Sequence, residues 1–157
     1  MEFTKAAEMK HAFIQMFNLY AHELSAHNPW IGTQIDREGN YLSEAVSQLL
    51  TGVSQEAFCL TEDGRPIGMA VFSSSEKECS IDEIFLVQTS RGKGISERIC
   101  TEFWNKHTGI CTLHVLKRND AAVKYWEKLI PRCGYRYKKR EENEQMWRYE
   151  VELESGR

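Results

Sequence analysis

The fold of this chain is decided by the stretch Ser90-Arg91-Gly92-Lys93-Gly94-Ile95-Ser96, which joins an apolar run to an apolar-periodic segment. The run at 81–87 predicts a strand, and the segment after the glycines predicts a helix over about 93–106. A turn of this kind gathers successive backbone N–H groups into one concavity, and the start of a helix adds further unpaired N–H groups. The sequence therefore predicts a site for a phosphorylated ligand at 91–96.

Two common phosphate-binding motifs do not match this stretch. A Walker loop needs four residues between its first Gly and the Gly-Lys pair, but here Gly94 follows Lys93 and no upstream Gly stands at the required position. A Rossmann fingerprint needs a third Gly where this chain has Glu97. The pattern therefore disfavours both a nucleotide triphosphatase and a dinucleotide-binding domain.

The stretch resembles the pyrophosphate loop of the GNAT superfamily of acetyl-CoA-dependent N-acetyltransferases, Gln/Arg-x-x-Gly-x-Gly/Ala, through Arg91, Gly94 and Ser96. Residues 119–126, Asn-Asp-Ala-Ala-Val-Lys-Tyr-Trp, are similar to the family's later motif, Asn-x-x-Ala followed by an aromatic residue. The two segments also stand in the family's order. The resemblance covers about 56–153, and its alternative is an αβ domain whose glycine-rich turn binds another phosphate.

This resemblance implies the GNAT fold, an α/β (α+β) arrangement with a mixed, mostly antiparallel sheet of about six or seven strands flanked by about four helices. In that fold the two central strands splay apart. The sequence pattern agrees, since it predicts helices at 5–26 and 41–51 with a loop between them, and a hairpin within 57–72. A short first strand at 1–4, a last helix from Asn119 to Pro131 and a final hairpin after Gly134 complete the expectation.

Composition is typical of one globular domain spanning 1–157, with 41% hydrophobic residues, 27% charged residues and a net charge of −3. No basic patch indicates a nucleic-acid partner, and neither a membrane-spanning run nor a signal peptide is present. Five scattered cysteines without C-x-x-C spacing predict reduced thiols in a cytoplasmic protein and no metal site. A homodimer is an open alternative to a monomer.

The resemblance implies acetyl-CoA (coenzyme A) as the cofactor. It implies these cofactor-binding residues: Leu86, Val87, Arg91, Gly92, Lys93, Gly94, Ile95, Ser96, Asn119 and Trp126. In the family, a bulge in the strand before the loop frees a backbone N–H that points at the thioester oxygen. Here the N–H of Leu86 or Val87 is therefore the expected oxyanion donor.

Glu83 is the preferred general base, because it lies on the strand before the loop near its splayed end. Its alternative is a solvent-facing or salt-bridged carboxylate, and Asp82, Glu23 and His114 are weaker candidates for the base. For His114, hydrogen-bonded packing in a core strand is a further alternative.

The expected general acid is missing from the second motif. Many family members carry Tyr seven residues after the Asn, where this chain has Trp126, whose indole cannot act as an acid. Tyr125 is adjacent, but it projects about 100° round the helix and replaces the phenol only if the helix is rotated. A thiolate of pKa about 8.5 can leave without an acid.

The first two helices wall the acceptor side in the family, so the substrate-binding candidates are Tyr20, Glu23, Trp30 and His114. Packing between helices is the alternative role for Tyr20 and Trp30. The function that follows is N-acetyl transfer from acetyl-CoA to a primary amine, on a small molecule rather than a protein. The competing hypotheses are a protein or peptide acceptor and a non-catalytic acyl-CoA-binding or regulatory module.

Overall fold

The computed structural model describes residues 1–154, so the end of the predicted 1–157 domain lies outside the described residues. The strands are β1 (Glu2–Lys5), β2 (Glu56–Glu62), β3 (Arg65–Ser74), β4 (Glu78–Leu86), β5 (Gly109–Leu116), β6 (Arg136–Glu141) and β7 (Met146–Leu153). The helices are α1 (Lys10–Ser25), α2 (Pro29–Gly32), α3 (Ser43–Thr51), α4 (Ile95–Trp104) and α5 (Asp120–Arg132). Within 1–154, no helix is both long and apolar enough to cross a membrane.

The seven strands described form one sheet in the order β1-β2-β3-β4-β5-β7-β6. Strands β4 and β5 are parallel, with Glu78–Ser80 in register with Ile110–Thr112, and both strands continue beyond this ladder. The β1–β2, β2–β3, β5–β7 and β6–β7 pairs are antiparallel. The predicted fold class, a mixed and mostly antiparallel sheet with flanking helices, is confirmed.

The chain divides into two compact units. The first comprises Met1–Ser73 and Glu83–Arg91, and the second comprises Ser74–Asp82 and the described residues from Gly92 onward. In the first unit, α1 buries Phe13 and Phe17 on one face, and both belong to a core cluster that includes Phe85. In the second unit, α4 and α5 bury their own stripes, Ile99, Cys100, Phe103 and Trp104 on α4 and Trp126, Leu129 and Ile130 on α5.

The β2–β3 hairpin turns at Asp63-Gly64, as its sequence predicts. Both central residues have positive φ, 50° at Asp63 and 74° at Gly64, which is the mark of the type I′ turn that joins twisted antiparallel strands. The register between these strands shifts once, between Leu60 and Thr61.

Several predicted boundaries are wrong by a few residues, and each shift has a local cause. The predicted loop at 27–40 contains α2, which Asn28 caps by accepting a hydrogen bond from the Trp30 N–H. α3 begins at Ser43 rather than 41, since Leu42 has a left-handed φ of 47°. α5 runs through Pro131 to Arg132, because a proline in the last turn removes only one helical hydrogen bond.

Candidate active site

The glycine turn of the second unit takes its shape from backbone conformation. Gly92 and Gly94 have φ of 72° and 75°, a left-handed region that side chains with a Cβ disfavour. A Cβ at either position would meet no atom within 4 Å, so space is open around both glycines. Gly94 caps α4, and its carbonyl accepts the first helical hydrogen bond, from Arg98 N–H at 3.0 Å. The helix therefore starts at Ile95, two residues later than predicted, and its first N–H groups have no helical partner.

A hydroxyl pair joins the turn to the second motif. The Ser96 hydroxyl, in the first turn of α4, is hydrogen-bonded to the Tyr125 hydroxyl on α5. Burial raises the pKa of Tyr125 above its usual value, so the phenol is neutral near pH 7. The Tyr125 ring also stacks edge-on against the Trp126 ring, with centroids 5.5 Å apart.

Three other candidate site residues of the second unit, Asn119, Trp126 and His114, lie in different environments. Asn119 is the N-cap of α5, as predicted, and its Oδ1 accepts from Ala122 N–H at 3.1 Å. Trp126 is buried, with 7% of its surface exposed. His114 is exposed on β5, with Nε2 3.6 Å from a Glu142 carboxylate oxygen, so its packing alternative in the core does not hold.

In the first unit, the candidate base meets a phenol from α1. The Tyr20 hydroxyl donates a hydrogen bond to Oε2 of Glu83, across 63 residues of sequence. The Tyr20 ring lies between Phe17 and Phe85, with centroid distances of 5.9 and 6.0 Å. Burial first, and then the negative charge of Glu83, raise the pKa of Tyr20 well above its usual value.

Arg91 is held by an acid and a carbonyl of the same unit. Its Nη2 donates to both Glu23 carboxylate oxygens, at 2.9 and 3.0 Å, and its Nε donates to Leu86 O at 2.8 Å. The guanidinium carbon lies 5.4 Å from the Phe85 ring centroid. The guanidinium predicted to face a phosphate thus connects α1 to the end of β4.

The backbone at the end of β4 distinguishes the two candidate oxyanion donors. Val87 N–H donates to Ile67 O at 2.9 Å and is therefore already used. Because successive residues of a strand direct their N–H groups to opposite edges, Leu86 N–H faces away from β3. β3 approaches closely here, since a Cβ at Gly68 would lie 2.0 Å from Phe85 O.

Trp30 does not join these groups. Its side chain lies on α2 with 59% of its surface exposed, whereas Tyr20 and Glu23 stand one turn apart on α1 and bind Glu83 and Arg91. Sequence reasoning missed both pairings. The only signal for them was the three-residue spacing that places Tyr20 and Glu23 on one helix face.

A family model described as the acetyltransferase (GNAT) family matches residues 13–130, well over half of the chain and both motifs. The chain belongs to this family. The resemblance noted in the sequence is thus confirmed, and with it a place among the acyltransferases. None of the curated proteins matches this GNAT protein.

Solved structures show the same fold at low sequence identity. The protein smu.2055 from Streptococcus mutans UA159 is 16% identical, with a TM-score of 0.67 over 98% of this chain and all of its own (100%). PaiA N-acetyltransferase from Thermoplasma acidophilum, in complex with coenzyme A, is 14% identical, with a TM-score of 0.64 over 94% of this chain and 96% of its own. An Elizabethkingia anophelis GNAT acetyltransferase with acetyl-CoA bound is 16% identical, with a TM-score of 0.53 over 70% of this GNAT chain and 82% of its own.

Proposed function

We propose that this protein transfers an acetyl group from acetyl-CoA to a primary amine on a small molecule. The observation that carries this is the left-handed glycine turn at the start of α4, within the part of the chain that matches the family. Two of the similar structures, from T. acidophilum and E. anophelis, hold coenzyme A or acetyl-CoA.

The residues around the turn fit an anionic, pyrophosphate-containing cofactor. The backbone N–H groups of 92–96 and the start of α4 supply donors, Lys93 supplies an exposed positive charge, and the glycines leave the approach open. We propose that the hydroxyl groups of Ser96 and Tyr125 belong to the same cofactor site. Asn119, Val87 and Trp126 are the expected contacts of the pantetheine arm. We do not propose Arg91 as a ligand of the pyrophosphate, because its guanidinium is bound to Glu23 and its N–H donates to Gln88 O.

Acetyl-CoA supplies an activated thioester, so little covalent chemistry is left for the protein. Glu83 accepts the proton of the incoming ammonium, directly or through water, and so delivers a neutral nucleophile. Leu86 N–H donates to the negative charge that develops on the carbonyl oxygen. Trp126 cannot protonate the leaving sulfur and the Tyr125 hydroxyl is bound to Ser96, so we assign no dedicated acid.

The acids of the first unit favour a small amine over a basic peptide as acceptor. The charge of Glu23 is balanced by Arg91. Asp36 is turned toward its own loop, where the N–H groups of Asn40 and Glu38 bind its Oδ1. These bonds, with the Asn40 N–H first, lower the pKa of Asp36. The Glu23 carboxylate therefore adds little net charge to an acidic surface of the kind that a basic peptide needs, and the Oδ1 of the ionised Asp36 is engaged by its own loop.

Calorimetry with coenzyme A tests the cofactor site. Gly94→Val places a branched side chain where we propose that the pyrophosphate approaches, so the affinity should fall by about 100-fold or more. Gly52→Val is the matched control, since Gly52 also has a left-handed φ (64°) with nothing within 4 Å, at the end of α3. This control should lose similar stability and keep its affinity. Equal affinity in the two variants would refute the cofactor site.

Release of free thiol from acetyl-CoA, followed with a panel of amines, tests the transfer reaction. We expect turnover with at least one small primary amine and none with basic peptides. Tight acetyl-CoA binding without release by any amine would instead support the non-catalytic module, the alternative that Trp126 at the acid position favours.

A further inference from the structure

The contact between Tyr20 and Glu83 joins two elements of the first unit beside packed aromatic rings. The two residues come from α1 and β4, and Phe17 and Phe85 fix the phenol ring between them. Phe17 and Phe85 are themselves 4% and 6% exposed, so the half-buried Tyr20 ring packs against two buried side chains. The phenol therefore holds one oxygen of the Glu83 carboxylate in place.

The chemistry of the pair sets the direction of this hydrogen bond. A carboxylate can only accept a hydrogen bond, and the raised pKa of the half-buried Tyr20 phenol keeps it protonated, so Tyr20 donates. The bond from Tyr20 engages Oε2, and a carboxylate has about four lone-pair positions. Holding of Glu83 by Tyr20 is therefore compatible with its taking a proton from a substrate.

We propose that Tyr20 is a positioning residue for the base: its phenol orients the Glu83 carboxylate and stabilises the ionised form that accepts the proton. This assignment rests on the proposed acetyl transfer with Glu83 as base. The sequence predicts a substrate-contacting role for Tyr20, and we propose the positioning role instead because its hydroxyl is bound to Glu83.

Three other ionisable groups lie close in sequence to Tyr20 or Glu83. Glu23, one turn further along α1, binds Arg91. His22 on the same helix bonds the Tyr41 hydroxyl through Nδ1, at 3.0 Å. Asp82 precedes Glu83 on β4, and strand geometry directs its side chain to the opposite face. The direct donor from α1 to the Glu83 carboxylate is thus Tyr20.

Tyr20→Phe removes the hydroxyl and keeps the ring. The kcat for a working amine should fall by about 10- to 100-fold, since a hydrogen bond to a charged group is lost, while the KM for acetyl-CoA stays unchanged. The acid limb of the pH–rate profile should move to higher pH, because the ionised carboxylate loses a donor that favoured it. A merely structural role would not move this limb.

Tyr41→Phe is the matched control, because its hydroxyl also bonds a side chain of α1 but lies outside the proposed machinery. It should leave the kcat and the pH profile unchanged. If the wild-type protein turns over and Tyr20→Phe matches it in kcat and in pH profile, the positioning role is wrong while acetyl transfer stands. If the wild-type protein turns over no amine at all, acetyl transfer fails and the positioning role fails with it.

A spectroscopic titration tests the contact without an acceptor. With ¹³Cζ-labelled tyrosine, the Tyr20 signal should titrate well above pH 10 in the wild-type protein. In Glu83→Gln, which keeps the shape and removes the charge, its midpoint should fall by about one pH unit or more. An unchanged midpoint in Glu83→Gln would overturn the assignment, because the phenol would then not be bound to an ionised Glu83.

Discussion

The end of β4 in the first unit and the glycine turn of the second unit are built in different ways. At the end of β4, the geometry comes from side-chain pairs that span long stretches of sequence, Tyr20 with Glu83 over 63 residues and Glu23 with Arg91 over 68. At 92–96, it comes from the backbone conformation of consecutive residues. The first construction can place a base accurately, and the second can present a row of N–H donors.

This difference divides the work of the proposed reaction between the two regions. A base must be oriented and must have a defined charge state, which requires partners fixed by packing. A pyrophosphate carries diffuse charge and needs many donors rather than one, so two glycines with left-handed φ suffice for it. We therefore expect side-chain changes at the end of β4 to alter the chemical step, and backbone changes in the turn to alter cofactor affinity.

The largest expected effect comes from removing the base. Glu83→Gln should lower kcat by about 10²–10⁴-fold and flatten the acid limb of the pH–rate profile, because general base catalysis contributes that much. Tyr125→Phe, the matching change beside the glycine turn, should alter kcat by less than about tenfold, since its hydroxyl is bound to Ser96. Steady-state kinetics of both variants with one amine make the measurement.

The opposite pattern would break the comparison. If Tyr125→Phe loses most of its kcat while Glu83→Gln keeps its kcat, Tyr125 protonates the leaving thiolate. The amine would then arrive neutral or lose its proton to water, and the second unit would hold the catalytic group.

The backbone geometry of the glycine turn was predictable from the sequence, whereas the long-range side-chain pairs at the end of β4 were not. Gly92, Gly94 and Asn119 could be interpreted from neighbouring residues alone, because turn and cap preferences act over a few positions. Arg91 shows the limit. Its position in the motif predicts a phosphate ligand, but its ion pair with Glu23 could not be predicted, because no local pattern reveals how α1 docks.

The helices and strands followed from periodicity, which records the faces that are buried, and the fold that joins them was implied by the resemblance of the two motifs to the GNAT family. The boundary errors lie where single residues override the pattern, as at Leu42 with its left-handed φ and at Pro131 inside the last turn of α5. The approach of β3 to β4 at Gly68 was also missed, because a glycine inside a strand does not say which backbone it faces.

A substitution at Gly68 should have an intermediate effect, which concerns the free energy of unfolding. Gly68→Ala would place a Cβ 2.0 Å from Phe85 O, a backbone atom, so the strands must separate at the residue before Leu86. The free energy of unfolding should fall by about 1–3 kcal/mol, as for other overpacked sites. Gly32→Ala is the control, since its Cβ would meet only Ser25 Cβ at 3.8 Å, and its effect should stay within about 0.5 kcal/mol. Urea denaturation measures both, and equal stabilities would show that β3 yields without cost.

The smallest expected effect concerns Glu23 and Arg91, whose side chains are 44% and 42% exposed. A double-mutant cycle with Glu23→Gln and Arg91→Gln should give a coupling below about 1 kcal/mol in the free energy of unfolding, as for solvent-exposed ion pairs.

The affinity of the same variants for coenzyme A gives a sharper test of the role of Arg91. If Arg91 connects α1 to β4, each single variant should change the dissociation constant by less than about tenfold, which is 1.4 kcal/mol. If the guanidinium instead leaves Glu23 to bind the pyrophosphate, Arg91→Gln should lose more than that, whereas Glu23→Gln, which frees the guanidinium, should bind more tightly. Opposite changes of coenzyme A affinity in the two variants would show that Arg91 is a ligand of the pyrophosphate at the glycine turn, and not only a link between α1 and β4.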